Sequence, residues 1–181
     1  ARRAAQTAMS RILRALTTLI APIIPFTAEE IWSYLPADPA WKVDSVMFNE
    51  IPKAIGKLDD AFMARWEKLI AVRGDVNKAL EMARAAKEIG KSLEAKVVLH
   101  CKGELLDFLK ANEDVLSTIF IVSQVELKEE GTGPVSGEVE GLTVEVLSAE
   151  GEKCERCWTY SPTVGEGEHH TLCARCASIV E

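Results

Sequence analysis

Cys154-Glu155-Arg156-Cys157-Trp158 and Cys173-Ala174-Arg175-Cys176 are the two stretches that decide how this chain is read. Their spacing is C-x2-C, fifteen residues, C-x2-C. Two residues between cysteines let both sulfurs of one turn point at a common centre, while neighbouring backbone N–H groups donate to them. A second such turn closes a tetrahedron. Four thiolates leave no open coordination position, so the ion holds the fold and does not catalyse. A redox motif needs only one pair. Disulfides fit poorly with clustered pairs and no secretory signal, and an iron centre is the remaining competitor. The expectation is one structural zinc held by Cys154, Cys157, Cys173 and Cys176. A segment of about thirty residues buries too little apolar area to fold alone, whereas such a site contributes on the order of 10 kcal/mol.

Several neighbours of these cysteines invite a role. His169 and His170 stand just before Cys173, but with four cysteines in register they read as exposed loop residues. Trp158 either covers the metal site or offers an exposed face for a nucleotide base, with Arg156 as its charged companion. Spacing does not choose between the two. Cys101, the fifth cysteine, reads as a small buried hydrophobe.

Upstream of this module the chain is an ordinary mixture, 48% hydrophobic and 27% charged over 181 residues. No apolar run reaches the roughly 20 residues of a membrane span. The opening Ala1-Arg2-Arg3-Ala4-Ala5 is no signal peptide, and the absence of an initiator Met inside a helical period suggests a piece of something longer. The net charge of −7 argues against a nucleic-acid partner until its distribution is read. Residues 126–152 hold eight glutamates against Lys128 alone, which accounts for the whole excess. The first 28 residues hold Arg2, Arg3, Arg11 and Arg14 and no acid.

The periodicity predicts a helix over 4–24, with Ala8, Ile12, Leu16, Leu19, Ile20 and Ile23 on its apolar face, ended or kinked by Pro22 and Pro25. A second helix is expected over 28–35, opened by a Thr27/Glu30 capping box and a Phe26/Ile31 staple. Residues 37–57 read as a connector pinned by Trp41, Met47, Phe48 and Ile51. A long helix follows over 58–89, with Arg73 on its apolar stripe and Gly90 as the C′ residue. Then come a strand over 96–101, one or two helical pieces over 104–118 and a strand over 119–127, together a right-handed βαβ unit. Residues 131–141 read as a loop, and Leu142, Val144 and Val146 alternate as a half-buried strand. The fold class is α+β: the end of a helical bundle, a long helix with a small βαβ-containing sheet, and a C-terminal four-cysteine zinc-binding module.

No catalytic grouping emerges. There is no glycine-rich phosphate loop, HExxH or GxSxG, and Gly90-Lys91-Ser92 lacks the loop that a phosphate-binding sequence needs before it. Glu29-Glu30 and Asp59-Asp60 read as helix openings, and Arg84, Lys87 and Glu88 as a solvated face.

Leu19-Ile20-Ala21-Pro22-Ile23-Ile24-Pro25-Phe26-Thr27-Ala28-Glu29-Glu30-Ile31-Trp32 resembles the closing helices of the anticodon-binding bundle in the aminoacyl-tRNA synthetases for Val, Leu, Ile and Met. Val76-Asn77-Lys78-Ala79-Leu80-Glu81-Met82-Ala83-Arg84, with Val72-Arg73 before it and Ile89-Gly90-Lys91-Ser92-Leu93-Glu94-Ala95 after it, is similar to bacterial isoleucyl-tRNA synthetases. So are the two cysteine turns. The resemblance implies a C-terminal fragment of a cytoplasmic, monomeric ligase that has no membrane partner. Its boundaries would be 1–36 for the end of the bundle, 37–57 for the connector, 58–150 for an α/β junction and 151–181 for the zinc-binding tail. Aminoacylation with ATP belongs to a catalytic domain absent here, along with the HIGH-like and KMSKS-like motifs and the editing domain. The implied partners are tRNA-Ile and the rest of the synthetase chain. Arg156 and Trp158 match tail positions that face the anticodon. Arg11, Arg14 and Arg73 are further candidates from charge and placement. Two alternatives stand beside this reading. One is the zinc-finger region of a formamidopyrimidine-type DNA glycosylase. The other is a zinc-ribbon protein-interaction module, which suits the acidic pI of about 5.1.

Overall fold

The computed structural model describes residues 2–38, 40–54, 56–57 and 59–180. It divides into two compact units, residues 1–58 and 59–181.

In the first unit, helix α1 (Arg2–Ile20) and helix α2 (Pro25–Tyr34) meet at a short turn. Pro22 cannot supply the N–H that would carry α1 onward, and the N–H groups of Ile23 and Ile24 both return to the Ile20 carbonyl. The expected capping box is absent. Pro25 stands in the first turn, where its fixed φ suits a helix start, so α2 begins ahead of Thr27 and no side chain caps it. Phe26, expected to staple the turn, is exposed. Ala21, Ala28, Trp32, Leu35 and Val46 form the core, with Ile20 and Trp41 against it. Trp32 is 1% exposed, and its indole N–H donates to the Val43 carbonyl at 2.8 Å. Glu29 Oε2 accepts from Ser45 Oγ and the Val46 N–H, fixing a 3₁₀ turn over Val46–Phe48. Val46 and Trp41 therefore pin the connector. Met47, Phe48 and Ile51, expected to share that work, are exposed; Met47 and Phe48 follow Val46 in the three-residue turn, which directs successive side chains apart. Much of the apolar stripe of α1 is also exposed, including Met9, Ile12, Leu13, Leu16 and Leu19.

The second unit opens with α3 (Asp60–Ala85), capped by Asp59, whose carboxylate accepts from the Phe62 N–H. Leu69, Val72, Val76, Ala79, Leu80 and Ala83 recur at helical spacing and lie in the core. The helix ends earlier than expected. Lys87, at φ 60, takes the left-handed C′ position predicted for Gly90. The Glu88 N–H bonds the Ala83 carbonyl and the Lys87 N–H bonds the Arg84 carbonyl, the two bonds of a Schellman stop. A lysine there carries a steric cost that glycine lacks. Lys87→Gly should stabilise the second unit by about 1 kcal/mol, read as a rise in the urea midpoint with an unchanged slope; no rise would show that the cap is not strained.

Strand β1 (Ala95–His100) is central. It runs parallel to β2 (Gln124–Lys128) and antiparallel to β4 (Thr143–Ser148), which pairs in turn with β3 (Val135–Ser136). The order is β2-β1-β4-β3. Helices α4 (Gly103–Lys110) and α5 (Glu113–Phe120) carry the β1–β2 crossover, so the βαβ unit is present with two helical pieces. Its second strand starts later than expected, because residues 119–120 complete α5 and Ile121 stops it in the left-handed region. Cys101 is buried in this core, and burial pushes its thiol up.

Residues 131–141 cross back over α3. Asp75, 4% exposed, accepts from the N–H groups of Glu138 and Val139 at 2.8 and 2.9 Å. A Cβ on Gly137 would lie 1.8 Å from the Asp75 carboxylate, so this approach requires glycine. The acidic stretch mostly faces solvent, with Lys96 bridging Glu126 at 2.9 Å and Glu150 at 2.7 Å. No described helix is long and apolar enough to cross a membrane.

Candidate metal centre and its aromatic turn

Strand β5 (Glu152–Lys153) delivers Cys154 and pairs with β6 (Tyr160–Ser161). Gly151 makes this pairing possible: at φ 88 its α-carbon faces Ser161, whose backbone would be 2.3 Å from an added Cβ. Between the strands the chain makes a tight turn, with the Cys154 N–H donating to the Thr159 carbonyl and the Trp158 N–H to the Cys154 carbonyl. The turn closes through Trp158 in the left-handed region, φ 64. The second cysteine turn leads into α6 (Ala174–Val180), and the Cys176 and Ala177 N–H groups both donate to the Cys173 carbonyl. The Glu155 N–H bonds the Thr171 carbonyl and ties the two turns together.

The four sulfurs of Cys154, Cys157, Cys173 and Cys176 lie within 4.8 Å of one another. The Cys157–Cys173 separation is 3.8 Å, close to the edge of about 3.8 Å that a tetrahedron with 2.3 Å zinc–sulfur bonds requires. Four cysteine sulfurs gathered this closely are a donor set that fits zinc. Val164 and Leu172 pack around the cluster. His169 and His170 stay outside it. The sulfurs also receive the donors that thiolates need. The Cys173 N–H reaches Cys154 Sγ at 3.4 Å. At Cys154 burial raises the thiol, but N–H groups of Cys157, Cys173 and Arg156 outweigh it and hold it low. Burial also raises Cys157, yet the Thr159 hydroxyl at 2.9 Å and the Thr159 N–H bring it down to about 6. Burial dominates at Cys173, which is pushed up to about 11. The Arg175 guanidinium, which no motif marks in the sequence, is raised by its interaction with the Cys157 sulfur. Arg156 and Arg175, one in each cysteine turn, are both exposed.

Trp158 is 61% exposed, with Lys153 Nζ 5.8 Å from its ring centroid. An exposed indole with a lysine ammonium near its ring is a surface on which a base can stack beside a phosphate. Its placement is fixed from behind. The Tyr160 N–H donates to Ser123 Oγ at 2.7 Å, and Gln124 and Glu150 exchange two hydrogen bonds at 2.9 and 3.0 Å, so the tail is fastened to β2. The other predicted contact residues belong to other elements. Arg11 and Arg14 are exposed on α1, and Arg73 is half-buried on α3 with its Nε unpartnered among the described residues.

Residues 1–99 match the family described as the anticodon-binding domain of tRNA ligase, and residues 151–179 match the zinc finger found in FPG and IleRS. The tail is accordingly a zinc finger with one structural zinc. Among curated relatives, the chain is 47% identical to the isoleucine–tRNA ligase of Geobacter sulfurreducens over 99% of its own length and 20% of that protein. It is 48% identical to the isoleucine–tRNA ligase of Gloeobacter violaceus over 98% of its length and 18% of that protein. The chain thus spans about a fifth of the relatives it matches. The zinc finger alone is shared with the glycosylase alternative, but the match over 1–99 favours the tRNA-ligase reading.

Proposed function

The chain belongs to the tRNA-ligase family that carries this anticodon-binding domain, and from that premise we propose that it is the tRNA-binding carboxyl-terminal region of an isoleucine–tRNA ligase. It helps to position the anticodon stem-loop of tRNA-Ile, while ATP-dependent aminoacylation takes place elsewhere in the parent enzyme. The zinc ligands are Cys154, Cys157, Cys173 and Cys176. Arg156 and Trp158 meet the anticodon, and Arg11, Arg14 and Arg73 add contacts to the RNA. The chain is divided at 36, 57 and 150 into bundle end, connector, junction and tail. The parent protein is a cytoplasmic monomer without a membrane partner, and the exposed stripe of α1 packs against the rest of the synthetase chain, as an uncovered apolar surface of this kind suggests.

The single observation that carries the reading is the exposed indole of Trp158, held in a strained left-handed turn by the metal-centre fold, with Lys153 Nζ 5.8 Å from its ring centroid and Arg156 two residues before it. Strain of that sort persists where the surrounding structure holds it. The test is fluorescence-anisotropy binding of the whole chain to tRNA-Ile, tRNA-Ile with an altered anticodon, an unrelated tRNA and duplex DNA. Tighter binding to tRNA-Ile supports the proposal; equal affinity for all four contradicts it. Trp158→Ala should weaken tRNA-Ile binding roughly tenfold, the loss of one stacked base, with zinc content unchanged. Loss of the metal in that variant would assign Trp158 to the zinc site instead.

A further inference from the structure

The basic side chains of α1 form a built surface that charge alone did not reveal. Arg14 lies three helical turns beyond Arg3 on the same line of α1, about 16 Å along the axis at 1.5 Å per residue, with Arg11 on the adjoining row. These three arginines, with Gln6 and Ser10 between them, line a groove of 630 Å³ closed on its other side by Asp38 and Trp41. The guanidinium of Arg14 lies 4.4 Å from the centroid of the Trp41 ring, a cation–π contact that fixes its direction. Trp41 is itself held. Its indole N–H donates to Asp38 Oδ2 at 2.7 Å, and its ring meets Trp32 edge-on at 5.6 Å. Asp38 is the groove's only acid among the described residues, and its other oxygen accepts from the Ala40 N–H. Among the described residues, neither Arg3 nor Arg11 forms an ion pair.

We propose that the groove of Arg3, Arg11 and Arg14 binds consecutive phosphates of an RNA backbone, with Trp41 and Asp38 as the residues that position Arg14. The proposal rests on the RNA-binding function given above and extends it by assigning the chemistry. Planar guanidinium forks match phosphate oxygens, and a row of them along one helix follows a repeating anion, not a single small one. Nothing in the groove offers a free aromatic face to a base, since Trp41 is occupied by Arg14 and Trp32. Contact here is therefore indifferent to sequence, and reading of bases is left to Trp158 and Arg156.

The test measures binding of the zinc-loaded chain to tRNA-Ile, and to the same transcript with an altered anticodon, between 50 and 300 mM salt. Arg11→Ala and Arg14→Ala should each weaken binding to both RNAs by the same factor, about five- to tenfold. Each should also flatten the plot of log affinity against log salt by about 0.7 to 1, one phosphate contact. Trp41→Leu, which removes no charge, should weaken both RNAs about threefold, while Trp41→Phe, which keeps a ring under Arg14, should recover most of that loss. Alanine is a strong helix former, so the arginine variants leave α1 intact. If they bind with unchanged affinity and salt slope while Trp158→Ala still weakens binding, the groove assignment is wrong and the RNA-binding function stands. If the parent chain binds neither RNA, both fall together. A loss confined to the transcript with the native anticodon would also overturn the proposal, because it would make the groove a reader of sequence.

Discussion

Replacing Cys176 by serine should reduce bound zinc from about one ion per chain to almost none and unfold the tail, while α1 to α5 keep their helical signal. The expectation follows from how little else holds residues 151–180. The apolar packing of this module is the cysteines themselves with Val164 and Leu172. Its strands β5 and β6 are two residues each. Ordering a residue costs about 1–2 kcal/mol in backbone freedom alone, so a few hydrogen bonds and two small side chains cannot offset the cost of about thirty residues. The metal supplies the difference, on the order of 10 kcal/mol. The two hydrogen bonds between Glu150 and Gln124 lie outside the tail and keep its starting point near β2, whereas the bond from Tyr160 to Ser123 is lost with the fold. Elemental analysis and amide spectra of the variant check this, and a metal-free chain with a folded tail would show that packing suffices.

The second large effect lies outside the zinc module. Gly137→Ala should destabilise the second unit by about 3 kcal/mol, because its Cβ cannot occupy the space of the Asp75 carboxylate. Two hydrogen bonds to a buried carboxylate are lost or distorted, each worth about 1.5–3 kcal/mol. Asp75→Ala removes the same two bonds and should cost a similar amount. The double variant should be little worse than either single one, since both remove one interaction. Urea unfolding measures all three. Single variants within about 0.5 kcal/mol of the parent chain, the range of an ordinary surface change, would mean that residues 137–139 are held by something other than Asp75.

These two sites differ in how far the sequence reveals them. Four cysteines at fixed spacing declare a tetrahedral site before any fold is known, and the sulfurs converge as that spacing requires. The βαβ unit was likewise legible, because β-branched runs alternate with helical periods over short distances. Asp75 and Gly137 are far apart in the chain, and neither sits in a local pattern that announces the other; only the return of residues 131–141 over α3 brings them together. Helix ends depart from the sequence expectation where two local signals compete. Thr27 and Glu30 have capping-box spacing, but Pro25 had already started α2. Gly90 is the residue type expected at a C′ position, but a complete Schellman stop forms three residues earlier on Lys87. At the metal centre, the choice between a covering and an exposed Trp158 depended on a left-handed turn that no spacing encodes. Arg175 carries no sequence signal because the Cys157 sulfur that raises it belongs to the other cysteine turn.

The central claim is that zinc shapes a tail that reads the anticodon, while α1 holds the RNA backbone without regard to sequence. Titrating tRNA-Ile and its anticodon-altered transcript against the same chain, zinc-loaded and zinc-stripped, tests it most directly. The account predicts that stripping abolishes the preference for the native anticodon and leaves a weaker, salt-sensitive affinity equal for both RNAs. An undiminished preference in the stripped chain would contradict it.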